Sequence, residues 1–271
     1  MYLLSKTGVR CNRDQLLIFR APFTAMGRGI MQISTRNLLR LAGISALLAG
    51  ACYVFVGLLH PPNIASAVTG TRWEAVHVVA CAMSFFGLLG MAGLYARQAT
   101  RASWVGLLGY VLFSLWLTLI MGFSFVEAFI LPQVAHANPQ FVVAWMGMFT
   151  GPKGNFDLGI LPTIWTLTAP LYMLGGLLFG VATFRAGILP RWAGALLALG
   201  TVLAPVAALL PNASQPKTAI PVGIALGWLG YALWSERPVQ PPEVASAPEE
   251  MGAWGPTVPS QLPHQPEGSH S

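Results

Sequence analysis

Three histidines and one glutamate could do chemistry from within an otherwise apolar chain: His60, His77, His136 and Glu127. Imidazole and carboxylate both suit zinc, and three such ligands plus a water make a catalytic centre. The same groups, sheltered from water, can instead hold and pass a proton. Spacing selects neither chemistry. The sequence contains no HExxH, no HxxxH and no Cys/His cluster, so a zinc site would need side chains converging from separate elements. Haem would need two of these histidines to face one cavity from different helices. No Gly-rich phosphate loop and no GxSxG elbow occurs, so no motif calls for a cofactor. The stretch TRWEAVHVV (71–79) holds the sharpest local signal. Thr71-Arg72-Trp73-Glu74 has the form of a capping box, which accounts for Glu74 without a ligand. His77 lies one turn deeper on the same face, near Cys81 and Ser84, and the box does not account for it. A polar side chain turned toward lipid loses its hydrogen bonds, so His77 is expected to face inward, with Glu127 its best partner. Asp157 reads as a dipole partner at the start of a helix.

The elements that must position these residues are apolar runs. Of the 271 residues, 55% are hydrophobic and only 9% charged, against about 25% in ordinary soluble domains. A spanning helix needs about 20 mostly apolar residues. Six segments approach that length: 41–59, 78–96, 104–126, 158–184, 192–210 and 220–234. His60-Pro61-Pro62 stops the first, Arg97 the second, and Pro132 the third once its helix has run on through Glu127. Pro162 and Pro170 should bend the fourth. The apolar stretch 141–149 is too short to span and reads as an interfacial or re-entrant piece. The expected fold is all-α: a polytopic bundle of six transmembrane helices at 41–234, with both termini cytoplasmic.

Charge sets that orientation. Twelve Lys/Arg residues fall on the side of the N-terminus and three, Arg72, Lys153 and Lys217, on the other. Scattered between apolar runs, the net charge of +6 is a topology signal and not a nucleic-acid patch. His60, His77, Glu127 and His136 then share the outer side. Residues 1–40 form a basic cytoplasmic arm, in which the run from Met31 reads as an alternative start. Residues 235–271 carry eight prolines and five glutamates with few aliphatics, and should be a disordered cytoplasmic tail. Cys52 and Cys81 lie in apolar runs and behave as small hydrophobes.

Close packing of small residues holds helices together in lipid. Gly43, Gly50 and Gly57 recur every seven residues; Gly87, Gly90 and Gly93 every three; Gly176/Gly180 and Gly223/Gly227 form GxxxG pairs. These stripes suit packing within the chain, and could also serve a homo-oligomer. Trp73, Trp104, Trp192 and Trp234 fall at helix ends, as an aromatic belt requires. The segments GLLHPP (57–62), GLLGMAGLYARQ (87–98), RAGILPRWAGALLALG (185–200) and GWLGYALWS (227–235) resemble a broad group of uncharacterised bacterial multi-pass membrane proteins. The resemblance covers most of the bundle. It implies a bacterial inner (cytoplasmic) membrane protein and carries no catalytic residue. The expected function is non-enzymatic, that of a transporter-like, sensory or accessory component in the lipid bilayer. The alternative is a metal-dependent membrane enzyme with a His/Glu site at the outer face.

Overall fold

The computed structural model describes residues 34–151, 154–207 and 209–236. The alternative start at Met31, residues 1–33 of the basic arm and the Pro-rich tail from 237 fall outside these residues; residues 35–40, expected in the arm, belong to the first helix. The described residues are helical, without strands. Four helical runs are long and apolar enough to cross a membrane: Thr35–Leu59, Thr71–Val134, Leu161–Ala186 and Ser214–Ser235.

Helix α1 (Thr35–Leu59) starts where the Ser34 hydroxyl accepts from Asn37 N at 3.2 Å. It ends at His60, whose extended backbone is what a residue before proline prefers. Helix α2 (Thr71–Phe125) is broken at Ser103, at φ 54° and ψ −172°. Ser103 is the one non-glycine residue with positive φ among those described. There α2 folds back on itself. Tyr95 and Tyr110 stack with ring centroids 5.0 Å apart, whereas one straight helix would hold them about 22 Å apart at 1.5 Å per residue. Further along, Cys81 Sγ reaches the Met121 carbonyl at 3.8 Å. The arms 71–102 and 104–125 are therefore antiparallel neighbours.

The remaining helices are α3 (Leu131–Val134), α4 (Pro139–Thr150), α5 (Leu161–Ala186), α6 (Arg191–Val202), α7 (Ala204–Ala207) and α8 (Ile220–Ser235). Glycines set the contacts between the long ones. A Cβ at Gly50 would strike the backbone of Gly223 and Gly227 on α8. Gly90 lies on Ala46, Gly109 on Phe179, and Gly180 on Gly194. A Cβ at any stripe glycine would meet a neighbour within the chain except at Gly227, where nothing lies within 4 Å. Both ends of the described bundle meet: Arg40 Nε donates to the Trp234 carbonyl at 3.4 Å, and Arg97 pairs with Glu236 at 2.7 Å. The buried centre gathers Tyr53, Met91, Leu94, Phe113, Leu117 and Phe179.

Three local expectations are corrected. The segment 192–210 is not one helix. It divides into α6 and α7, because Pro205 lacks the N–H that would bond the Thr201 carbonyl and its ring crowds that carbonyl. The capping box does not form: α2 begins at Thr71 with Gly70 as N-cap, and no side chain caps it. Trp104, Trp192 and Trp234 are outward and exposed, as a belt requires, but Trp73 is fully buried.

Candidate functional site

The site forms where the first arm of α2, the end of its second arm and the end of α1 come together. Just past Phe125 the helix widens into a π turn, Val126–Ile130. Pro132 follows the turn by two residues. In an α-helix the Glu127 carbonyl would accept from Leu131 N, but that N–H instead bonds the Val126 carbonyl, five residues back. The next amide in line belongs to Pro132 and has no hydrogen. The Glu127 carbonyl is left without a backbone donor, and the Trp73 indole supplies one, with Nε1 donating at 2.9 Å. The burial of Trp73 follows from this bond.

The Glu127 side chain is 10% exposed and that of His77 3%. Glu127 Oε2 lies 3.3 Å from His77 Nε2. Trp145 of α4 donates its Nε1 to Glu127 Oε1 at 3.3 Å. His77 Nδ1 lies 2.7 Å from the Trp73 carbonyl. A carbonyl only accepts, so Nδ1 carries a hydrogen and the proton between Nε2 and the carboxyl is shared. Whichever partner holds it, the pair is neutral as a unit.

His60 stands beside them. Its ring centroid is 5.1 Å from that of His77 and 6.2 Å from that of Trp73. His60 Nδ1 is fixed on the Pro61 carbonyl at 2.6 Å, which leaves Nε2 with its lone pair. Burial pushes the His60 imidazole below its ordinary value, and the Arg72 charge pushes the same way; the bond to Pro61 opposes them. Arg72 itself donates Nε to the Leu59 carbonyl at 2.8 Å, which ties the start of α2 to the end of α1.

These groups wall a cavity of about 370 Å³. Its polar lining is His60, Asn63, His77, Ser124, Glu127 and Gln215. Phe123, Phe149 and Trp165 form its aromatic side. Trp165 meets the other two edge to face, at 5.2 and 4.5 Å. Of the four residues singled out by sequence, the structure brings His60, His77 and Glu127 together. His136 is exposed in the turn between α3 and α4 and does not line the cavity. Glu74 is exposed in the first turn of α2. Asp157 accepts from Gly159 N at 2.8 Å, a local turn bond ahead of α5. Among the described residues no three His, Cys, Asp or Glu side chains are grouped so as to hold a metal ion.

Sequence reasoning missed the neutral members of the site. Trp145 belongs to the stretch read as interfacial, and Trp73 was assigned to the belt. Pro132, five residues after Glu127, was the available signal for an orphaned carbonyl. Asn63 and Gln215 carry none, because they reach the cavity from connecting segments. Comparison with known protein families, curated proteins and solved structures gives no match.

Proposed function

We propose that this chain is a six-pass membrane protein of the bacterial inner membrane, with both termini cytoplasmic, that binds a small ligand at its outer side. The binding is linked to the proton shared by His77 and Glu127. It is a transporter-like or sensory component and not an enzyme. The observation that carries the reading is that pair in the wall of a 370 Å³ cavity. The cavity lies within the usual range for small-molecule sites, which join an apolar lining to a few placed polar groups. A buried ionisable pair inside an apolar bundle is a functional site by default. The turn at Ser103 supports counting α2 as two passes, since α2 alone would measure about 80 Å, far beyond a hydrocarbon core of about 30 Å; with α1, α5 and α8 that makes five, and the sixth pass is assigned to α6 and α7 together.

One observation favours the metal-dependent alternative. His60 and His77 both hold Nδ1 on a carbonyl, the orientation that zinc-binding histidines use. Against it, His77 Nε2 is engaged by Glu127 and His136 is elsewhere. Infrared titration of the reconstituted protein tests the proton-linked reading. One buried Glu127 band, carboxylic acid or carboxylate according to which partner holds the proton, should change with pH and should vanish in Glu127→Gln. Absence of such a band in the wild type rejects the reading. Zinc that binds stoichiometrically and is lost in His60→Ala and in His77→Ala would favour the alternative.

A further inference from the structure

The chemistry of the cavity wall specifies the charge of its ligand. The inference rests on the proton-linked reading above. We propose that the cavity takes a small organic cation, an amine or quaternary ammonium ion of about a dozen heavy atoms or fewer, and that the cation replaces the proton of the His77–Glu127 pair.

Three observations point there. Among the described residues, neither lysine nor arginine lines the cavity, and Glu127 is the one carboxyl that does. The polar lining joins the Glu127 carboxylate, which can only accept once ionised, to neutral groups that can turn an oxygen to a cation. These are the Ser124 hydroxyl and the amides of Asn63 and Gln215, the latter with its Nε2 already donating to the Leu210 carbonyl. Beside them Phe123, Phe149 and Trp165 form a contiguous aromatic wall, and aromatic walls attract cations through the ring quadrupole. A carboxylate within an aromatic enclosure is the arrangement that recognises ammonium ions. An anion would meet the carboxylate and the electron-rich rings, and the fixed positive charge nearby, Arg72 beside His60, does not line the cavity. The size limit comes from the volume. At about 30 Å³ per water, 370 Å³ holds roughly twelve waters.

The exchange balances. Empty, the pair holds one proton and is neutral. When the cation enters, Glu127 becomes a carboxylate, His77 stays a neutral imidazole with its hydrogen on Nδ1, and one proton leaves to water. The cavity keeps the same net charge, so no uncompensated charge is buried in either state. The neighbouring elements add few other charges. The first arm of α2 contributes Cys81, Arg72 beside His60, and the exposed Glu74. The end of α1 contributes His60. Helices α3 and α4 contain no titratable side chain, and α5 has none before Tyr172. Lys217 of the segment Asn212–Ala219 does not line the cavity.

The test uses three probes built on a compact methyl-substituted centre: tetramethylammonium, neutral tert-butanol and the slightly larger anionic pivalate. Each is titrated calorimetrically into the full chain in lipid nanodiscs, in two buffers of different ionisation enthalpy so that protons are counted. Tetramethylammonium should bind at least tenfold more tightly than either isostere, release up to one proton, and bind more tightly as pH rises. Glu127→Gln should lose the proton release and at least tenfold in affinity. Trp165→Leu should weaken cation binding while keeping the proton release, which separates the aromatic wall from the pair. No saturable tetramethylammonium binding, equal binding of tert-butanol, or binding with no proton released overturns the proposal. Pivalate bound with proton uptake that Glu127→Gln abolishes would overturn the cation assignment and leave the proton-linked site standing. A missing carboxyl band in the infrared titration would remove both. The wild-type proton count does not depend on any variant folding.

Discussion

Glu127→Ala tests whether the pair is a unit. The substitution removes the acceptors 3.3 Å from His77 Nε2 and 3.3 Å from Trp145 Nε1. The Trp73 bond survives because it ends on the Glu127 backbone carbonyl. Two buried groups losing a partner at about 1–3 kcal/mol each give a cost of about 3–5 kcal/mol once the emptied space is included. By the scaling for chains of 150–250 residues that is a fall of roughly 6–20 °C in apparent Tm. His77→Ala strands Glu127 Oε2 alone and should cost about 2–3 kcal/mol. The double variant should cost less than the sum by about 1–3 kcal/mol, as side chains in direct contact do. Glu127→Gln separates the two forms of the pair. Its amide oxygen can still accept from Trp145, and its NH2 can donate to a neutral His77, so a pair whose proton sits on the carboxyl predicts a loss below about 1 kcal/mol. The assay is thermal denaturation in detergent followed by circular dichroism. Additivity within about 0.5 kcal/mol would refute the coupling. A Glu127→Gln loss as large as that of Glu127→Ala would place the proton on His77 and refute a protonated carboxyl.

Gly50→Ala places a methyl against the backbone of Gly223 and Gly227, which cannot rotate away, and should cost about 1–3 kcal/mol in the same assay. Gly122→Ala meets nothing within 4 Å, so it should be neutral or stabilise by up to about 1 kcal/mol; equal effects at the two glycines would remove the packing account. Alkaline phosphatase fused after Pro211 should be active and after Ser235 inactive, and activity at both positions would sink the six-pass topology. His60 should make stability fall on acidification. Its folded-state value lies below the ordinary 6.5, so below about pH 6.5 the unfolded chain binds more protons than the folded one. The pH dependence of Tm in that window should therefore be shallower in His60→Gln, and an unchanged slope would exclude His60 as its source.

What could be read from the sequence was position along the bundle axis; what could not was position around it. His77 and Glu127 stand 26 and 24 residues from Ser103, so arms folded back at that point bring them to the same level. Depth needs only a residue count at about 1.5 Å each, and the apolar runs and prolines supply the count. Direction is another matter, because each residue turns a helix by about 100° and one irregular turn re-aims everything beyond it. The π turn at Val126–Ile130 is such an irregularity. Pro132 was legible as a stop, but the fate of the carbonyl it orphans depends on an indole 54 residues away in sequence. His136 fails for the same reason. Topology gave it the right end of the bundle, while its place around the axis was set by a turn with no periodic pattern to read. The segment 192–210 fails differently: apolar content is blind to Pro205, so α6 keeps only 12 residues. The legible part of the site is thus the part fixed by two regular arms and one sharp turn. Its neutral members, Trp73 and Trp145, are fixed by the irregularity between them, and they hold Glu127 by its backbone and its carboxyl at once. A glutamate held at its backbone and at its carboxyl meets its ligand with little left to order, which favours selection by charge over selection by rearrangement.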